Sequence, residues 1–378
     1  MTFKAYKLTP VDTWFFRDGR PFNQGEANLA DIKSLFPPFA MTAVGAIRAS
    51  LARGLGWNGK GDWSSDIKKK LGDGRHLGPL RVRGPYLIRE RNGKCEPLFP
   101  VPLHLLGKLS ENEGGQWKQL NLLKPGEKVD CDIGNQVRLP SLKNSSGLKS
   151  LYGSYLTLAD MSAVLNEGDL SKVCPVRGSD LWDFDFQVGI ERDFQTHATV
   201  EGALYSISRV RLENGVALAV EIDGLDKEMD LQSTLPFGGE GRLAHVNSLD
   251  DTIKIPEAPL FKPCPDNKIR FTVTHLTPAR FEGLWPGPGK EIPDLDGAKV
   301  VSACLERPIW IGGWDTIKRE PLPLEPFLPG GSTWFCEAEN NLAEKIARCN
   351  GRHIGKYGEF GFGEIAIGLW NDEYINGD

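Results

Sequence analysis

The sequence predicts an α+β chain of two related units with long insertions and glycine-rich loops. Three observations carry that expectation. At the N-terminus a strand, an arginine-bearing loop and a small-residue helix follow one another, which is how a ferredoxin-like βαββαβ unit opens. Near the C-terminus the order is helix, glycine loop, strand. In the middle of the chain a hairpin, a helix, a glycine loop and a strand repeat that order, as a duplicated unit would. At 378 residues and 40% hydrophobic content the chain can bury one or two ordinary cores, and two domains fit that length better.

The first strand is read at residues 4–8, which alternate polar and apolar, and Thr9-Pro10 closes it. The next stretch, DTWFFRDGRPF at 12–22, sets three consecutive aromatics beside Arg17 and Arg20, with Asp18-Gly19 as a turn. Two readings fit it: stacking faces and guanidiniums for RNA bases and phosphates, or strand-end core with Arg17 paired to Asp12 or Asp18. Prolines 37 and 38 then stop an extended segment. Thr42 can cap a helix whose Gly45 and Ala46 allow close packing on a sheet.

Residues 56–78, with Trp57, Trp63 and Lys68 to Lys70, read as an insertion with a basic patch. Residues 80–84 and 86–89 look like strands, followed by an Asn92-Gly93 hairpin turn. Between about 107 and 180 the pattern is irregular, apart from a helical stretch at 159–165. Order returns at 186, where Arg192, Gln195, Thr196, His197 and Thr199 form a polar cluster between apolar segments. Strands are expected at 204–212 and 216–222 around Asn214-Gly215, as a hairpin, and a helix at 226–235. That helix leads into the loop Gly238, Gly239, Gly241 and Arg242. Strands at 269–275, 299–305 and 331–336 follow, and 307–321 is read as a loop over a sheet edge.

The last loop, GRHIGKYGEFGFG at 351–363, follows a helical segment at 340–348 with Asn340 as a possible N-cap, and feeds an alternating strand at 364–370. Its Gly358, Gly361 and Gly363 can bring backbone N–H groups close to a ligand, while Lys356 and Tyr357 supply a cation and a stacking face. The bland alternative is a connection whose glycines only relieve backbone strain. The spacing is neither a phosphate-binding P-loop nor a dinucleotide fingerprint, so nucleotide hydrolysis finds no support.

Charge is unevenly divided. Residues 1–150 carry 24 Lys and Arg against 14 Asp and Glu, whereas residues 151–260 carry 8 against 19. A basic region can track a phosphate backbone and an acidic one can meet a basic protein, or both can be solvated surface. Seven dispersed cysteines without a Cys-x-x-Cys pair indicate reduced thiols, with neither a disulfide framework nor a zinc site. The lack of a long apolar run and of a signal-peptide core leads to the expectation of a cytoplasmic protein, away from membranes. No hydrolase or kinase signature appears, and no metal or cofactor is expected. His197 is the only histidine in a polar cluster, so it is the best available acid or base if the chain cuts RNA.

Taken together, DTWFFRDGRPF at 12–22, FPP at 36–38 with GAIR at 45–48, GIER at 189–192, LYS at 204–206, GGEGR at 238–242 and the terminal glycine loop resemble one family. It is the type III-B CRISPR subunit of the RAMP superfamily that holds the crRNA 5′ handle in the Cmr complex. The resemblance runs from residue 3 to about 370. It implies two ferredoxin-like (RRM-like) domains, which we place at 1–185 and 186–378. It also implies no nuclease activity, docking on the large polymerase-like subunit, and contact with a neighbouring backbone subunit. Carried onto this chain, handle contacts are expected from Phe16, Arg17, Arg20, Asn23 and Arg48. Further contacts are expected from Arg192, His197 and Thr199, from Gly238, Gly239, Gly241 and Arg242, and from Lys356, Tyr357, Gly358, Gly361 and Gly363. The alternative is a crRNA-processing endoribonuclease of the same superfamily.

Overall fold

The computed structural model describes residues 3–17, 31–32, 34–74, 76–110, 115–315 and 320–372. The chain divides into two compact units of interleaved segments: Met1–Cys95, Ser179–Ile253 and Trp310–Glu325 in the first, and Glu96–Gly178, Lys254–Ile309 and Pro326–Asp378 in the second. Strands dominate both, and helices are few, in keeping with an α+β class.

In the first unit four strands form the central sheet: β1 (Lys4–Pro10), β2 (Arg81–Arg91), β3 (Val216–Asp223) and β4 (Leu243–Leu249). Their order is β4-β1-β3-β2, every neighbour antiparallel, with Tyr6 opposite both Val220 and Ser248. Strand β3 is buried from Val216 to Ile222, which is why it reads VALAVEI instead of alternating. Its one fully buried charge, Glu221, is held by Arg83 at 2.7 Å and by the backbone N–H of Ile253. A buried carboxylate is tolerable only when so satisfied.

Between β1 and β2 runs the helix Ala40–Gly54, which buries Ala40, Ala43, Val44, Ile47 and Leu51 at helical spacing. It starts two residues before Thr42, with Phe39 at the cap and no side-chain cap bond. Gly45 lies on its outer face, so the alanines, not Gly45, give the close approach. The insertion that follows holds a short helix, Ser65–Leu71, whose Ser64 accepts from the N–H of Ile67.

In the second unit β5 (Lys268–His275), β6 (Lys299–Cys304), β7 (Thr333–Glu339) and β8 (Ile365–Leu369) take the order β8-β5-β7-β6, again antiparallel throughout. One face buries Ile269, Phe271, Val273, Trp334 and Ile367 with Phe281 and Ile346. A smaller cluster joins Leu103, Cys304, Phe335 and Trp370. Each large side chain removed from water in this way contributes roughly 1.5–3 kcal/mol. The helix Ala343–Ala347, entered through a turn of 3-10 helix at Asn340–Leu342, connects β7 to β8.

Several local expectations need correction. Residues 226–235 form no helix; the segment is irregular and ends in the short strand Thr234–Pro236 beside β4. Asn214-Gly215 does make a turn, but the strands it joins lie in different sheets: Thr199–Leu212 pairs with Trp182–Arg192, while β3 pairs with β1 and β2. The region read as irregular contains two hairpins, Leu105–Ser110 with Gln116–Leu122 and Lys124–Cys131 with Gly134–Ser141. They escape a period-two reading because much of both faces is solvated and polar. The segment near 307–321 is likewise a hairpin, Ile309–Asp315 with Glu320–Phe327. By contrast, Asn92 and Gly93 take the positive φ values, 51° and 74°, of the expected hairpin turn.

Candidate functional site

In the first unit the chain leaves β1 and immediately anchors its aromatics. Trp14 is fully buried, exchanges both backbone hydrogen bonds with Val210 (2.9 and 2.7 Å), and donates its indole N–H to the carbonyl of Leu243 at 3.1 Å. Its ring and that of Phe16 pack on each other and on both Phe36 and Phe237, with centroids 5.1–6.4 Å apart in tilted, stacked and edge-on pairs. Phe16 also donates its backbone N–H to the Ser34 hydroxyl at 2.8 Å. The ring of Phe16, expected to stack on a base, is therefore core. The next residue, Arg17, is exposed and bridges to the Ser34 backbone. Arg20 and Asn23 lie outside the described residues.

The second glycine loop sits directly on this segment. Gly239 donates its N–H to the carbonyl of Phe15 at 2.8 Å, and Phe237 and Arg242 close the turn with a 2.8 Å bond. Gly238 (φ 85°) and Gly241 (φ 64°) both need the left-handed region; Gly241 and Glu240 face solvent. Arg242 reaches back to the Thr13 hydroxyl at 3.3 Å and to Asp12 at 3.4 Å. Asp12 is approached from its other oxygen by Arg211 at 3.6 Å, and Arg211 also pairs with Asp185 at 2.9 Å. Segments some 230 residues apart thus share one surface, on which Arg211 and Arg242 meet at Asp12 beside the exposed glycines of the Gly238–Gly241 turn. Asp12 was read only as a possible partner of Arg17, and Arg211 was not predicted as part of this surface, since no spacing signal links positions so distant in the chain.

Arg192, His197 and Thr199 occupy the exposed far end of the hairpin formed by Trp182–Arg192 and Thr199–Leu212. Arg192 and Thr199 are cross-strand partners there. The turn is held by Asp193, whose carboxylate accepts the N–H groups of Thr196 (2.7 Å) and Gln195 (3.0 Å) and the Thr196 hydroxyl (2.8 Å). Those donors, Thr196 first, hold Asp193 below the usual carboxylate range. His197 sits at φ 55° and donates its N–H to the Asp193 carbonyl, so its place is set by the turn.

Arg48 projects from the helix Ala40–Gly54 into the 56–78 insertion. It donates to the carbonyl of Gly74 at 2.9 Å and lies over the Trp63 ring at 4.9 Å. Burial there lowers its pKa. Its guanidinium is engaged within its own unit.

The C-terminal glycine loop belongs to the second unit. Lys356 donates its N–H to Arg280 (2.7 Å) and its ammonium to Glu282 (3.0 Å). Tyr357, at φ 64°, stacks on Phe327 with centroids 6.2 Å apart and an interplanar angle of 22°. Gly361 and Gly363 are buried. A Cβ at Gly363 would fall 2.1 Å from the carbonyl oxygen of Ile354, so this glycine serves close backbone packing and presents no open N–H. Lys356, Tyr357 and Gly358 remain partly accessible.

Among the described residues no group of three His, Cys, Asp or Glu side chains is placed to hold a metal ion, and no helix is long and apolar enough to cross a membrane.

The family described as CRISPR-associated protein (Cas_Cmr3) matches residues 6–370 of this α+β chain. The chain belongs to that family, and so is a component of a type III-B Cmr effector complex. No curated protein matches it. Among solved structures, a type III-B Cmr-beta complex bound to cognate target RNA and AMPPnP contains a chain with 14% identity and a TM-score of 0.47, covering 96% of this chain and 98% of that one. The same type of complex bound to cognate target RNA gives 16% identity and 0.46, with 96% of each chain covered. A Csm3–Csm4 subcomplex of a type III-A complex gives 13% and 0.34, covering 98% and 100%.

Proposed function

We propose that this chain is the non-catalytic subunit that anchors the crRNA 5′ handle and docks the large polymerase-like subunit and a neighbouring backbone subunit. The observation that carries the reading is the seating of the Gly238–Arg242 turn on the Asp12–Arg17 segment, through the 2.8 Å bond from Gly239 to Phe15. It groups fixed guanidiniums with open backbone, the means by which a protein holds phosphates and reads splayed bases. Lys356 and Tyr357 supply a second such surface on the other unit. Two ferredoxin-like domains fit this role. In support, both units share the strand order fourth-first-third-second; the first keeps its helix after the first strand, and the second after the third.

Handle RNA binding by the purified chain tests the reading, measured by fluorescence anisotropy across a salt series. Arg17→Ala and Arg242→Ala are expected to weaken binding and flatten the salt slope, each by about one phosphate contact, with repeat RNA left uncut. Unchanged affinity in both variants, or cleavage abolished by His197→Ala, would overturn it.

A further inference from the structure

Where the Gly238–Arg242 turn meets the first loop, the carboxylate of Asp12 is shared by two guanidiniums. Its Oδ2 lies 3.4 Å from Nη1 of Arg242, and its Oδ1 lies 3.6 Å from Nη1 of Arg211. Both separations exceed the roughly 2.7–2.9 Å of a charge-assisted hydrogen bond. Asp12 sits in the bend between β1 and Trp14, and its side chain is 58% exposed. A contact so open and so long is weak and is screened by salt.

Neither arginine depends on it. Arg211 has its shorter bond, 2.9 Å, to Asp185, and Arg242 donates to the Thr13 hydroxyl at 3.3 Å. The Nε–H of Arg242 is buried and finds no acceptor among the described residues, so that side chain has donor capacity unused. Taking Asp12 away would thus leave both guanidiniums tethered and remove only the negative charge between them. A phosphodiester presents to a guanidinium the same edge of two oxygens as a carboxylate does.

We propose that Asp12 is an internal stand-in for an RNA phosphate: it occupies Arg211 and Arg242 in the free chain, and a phosphodiester displaces it on binding. The inference rests on the reading of this surface as the handle site. It adds to that site a residue that works against binding, since RNA has to compete with it for the two arginines. The displaced carboxylate turns to solvent, which its exposure allows.

The test measures the affinity of the purified chain for its crRNA 5′ handle, by fluorescence anisotropy across a salt series. Asp12→Asn keeps the shape of the side chain and should tighten binding about fivefold at low salt, the gain fading as salt rises. Glu240→Gln is the charge control. It removes an exposed carboxylate of the same turn that pairs with no cation among the described residues, and should change affinity by less than about twofold. In an Arg211→Ala/Arg242→Ala background, Asp12→Asn should have no effect. If Arg242→Ala weakens binding and Asp12→Asn weakens it too, Asp12 is a positioning residue; that result, or no change with Asp12→Asn alone, overturns the proposal and leaves the handle reading intact. A gain that persists without the two arginines, or an equal gain from Glu240→Gln, would trace the effect to net charge and also overturn it. If neither Arg242→Ala nor Asp12→Asn alters affinity, the handle reading falls and the proposal falls with it.

Discussion

A Cβ on Gly238 would lie 2.4 Å from the carbonyl oxygen of Phe15. Gly238 also sits at φ 85° in the turn that rests on the first loop. Gly238→Ala should therefore cost roughly 1–3 kcal/mol, seen as a lower midpoint in urea unfolding. Gly241→Ala is the control: its φ of 64° is strained, but nothing lies within 4 Å of the new Cβ, so its loss should be about 1 kcal/mol.

Burial of histidine makes stability fall in acid. His104 and His275 are both buried, and desolvation pushes their pKa values down to about 4 and about 3. The unfolded chain binds these protons near pH 6.5 while the folded one does not. Their contribution is thus complete above about pH 6.5 and is lost as pH falls toward the folded values. His104→Phe should flatten the stability profile between about pH 6.5 and 4, by an amount on the order of 3 kcal/mol at the acid end. Chemical unfolding at stepped pH measures it; an unchanged slope would mean that His104 takes up its proton while still folded.

How much of this was legible beforehand differs by residue. The strand patterns at 216–222 and 269–275 gave their elements away because both are buried runs, and the helix at Ala40–Gly54 was legible from its small residues after Pro37 and Pro38, though it starts two residues before the expected cap Thr42. The Asn214-Gly215 turn was legible as a turn, but local sequence cannot say which sheet each flanking strand joins. DTWFFR was readable as either core or a stacking platform; the hydrogen bonds of Trp14 and Phe16 to residues far along the chain assign the rings to the core. Gly363 shows the same limit, since only the fold reveals the Ile354 carbonyl beside it.

The buried pair of the second unit should be more sensitive than any surface charge. Arg138 donates to both oxygens of Asp372 at 2.5 and 2.7 Å and to the carbonyls of Gly126 and Pro125. Removing one partner strips the other of its bidentate pair in a dry site; Asp372 keeps the approach of Arg270 at 3.9 Å, so the cost is about 3 kcal/mol, the low end for breaking a buried pair. Arg138→Met and Asp372→Leu are each expected to show that loss in urea unfolding. The double variant should recover part of it, because neither charge then lacks its bidentate partner.

Arg48 separates a structural cation from an RNA-binding one. Its guanidinium donates to Gly74 and covers Trp63, so the helix and the insertion that follows it are tied together by this side chain. Arg48→Ala removes both contacts and leaves the Gly74 carbonyl to water. The loosened 56–78 segment should be cut faster in limited trypsin digestion, since Lys68, Lys69 and Lys70 lie within it. Handle RNA affinity should stay within about twofold of the parent, because the guanidinium is already taken up by Gly74 and Trp63; a change of that size is under 0.5 kcal/mol. Arg48→Lys should not rescue the digestion rate, as an ammonium cannot stack flat on Trp63 while donating to Gly74. A drop in RNA affinity with digestion unchanged would instead make Arg48 a direct handle contact.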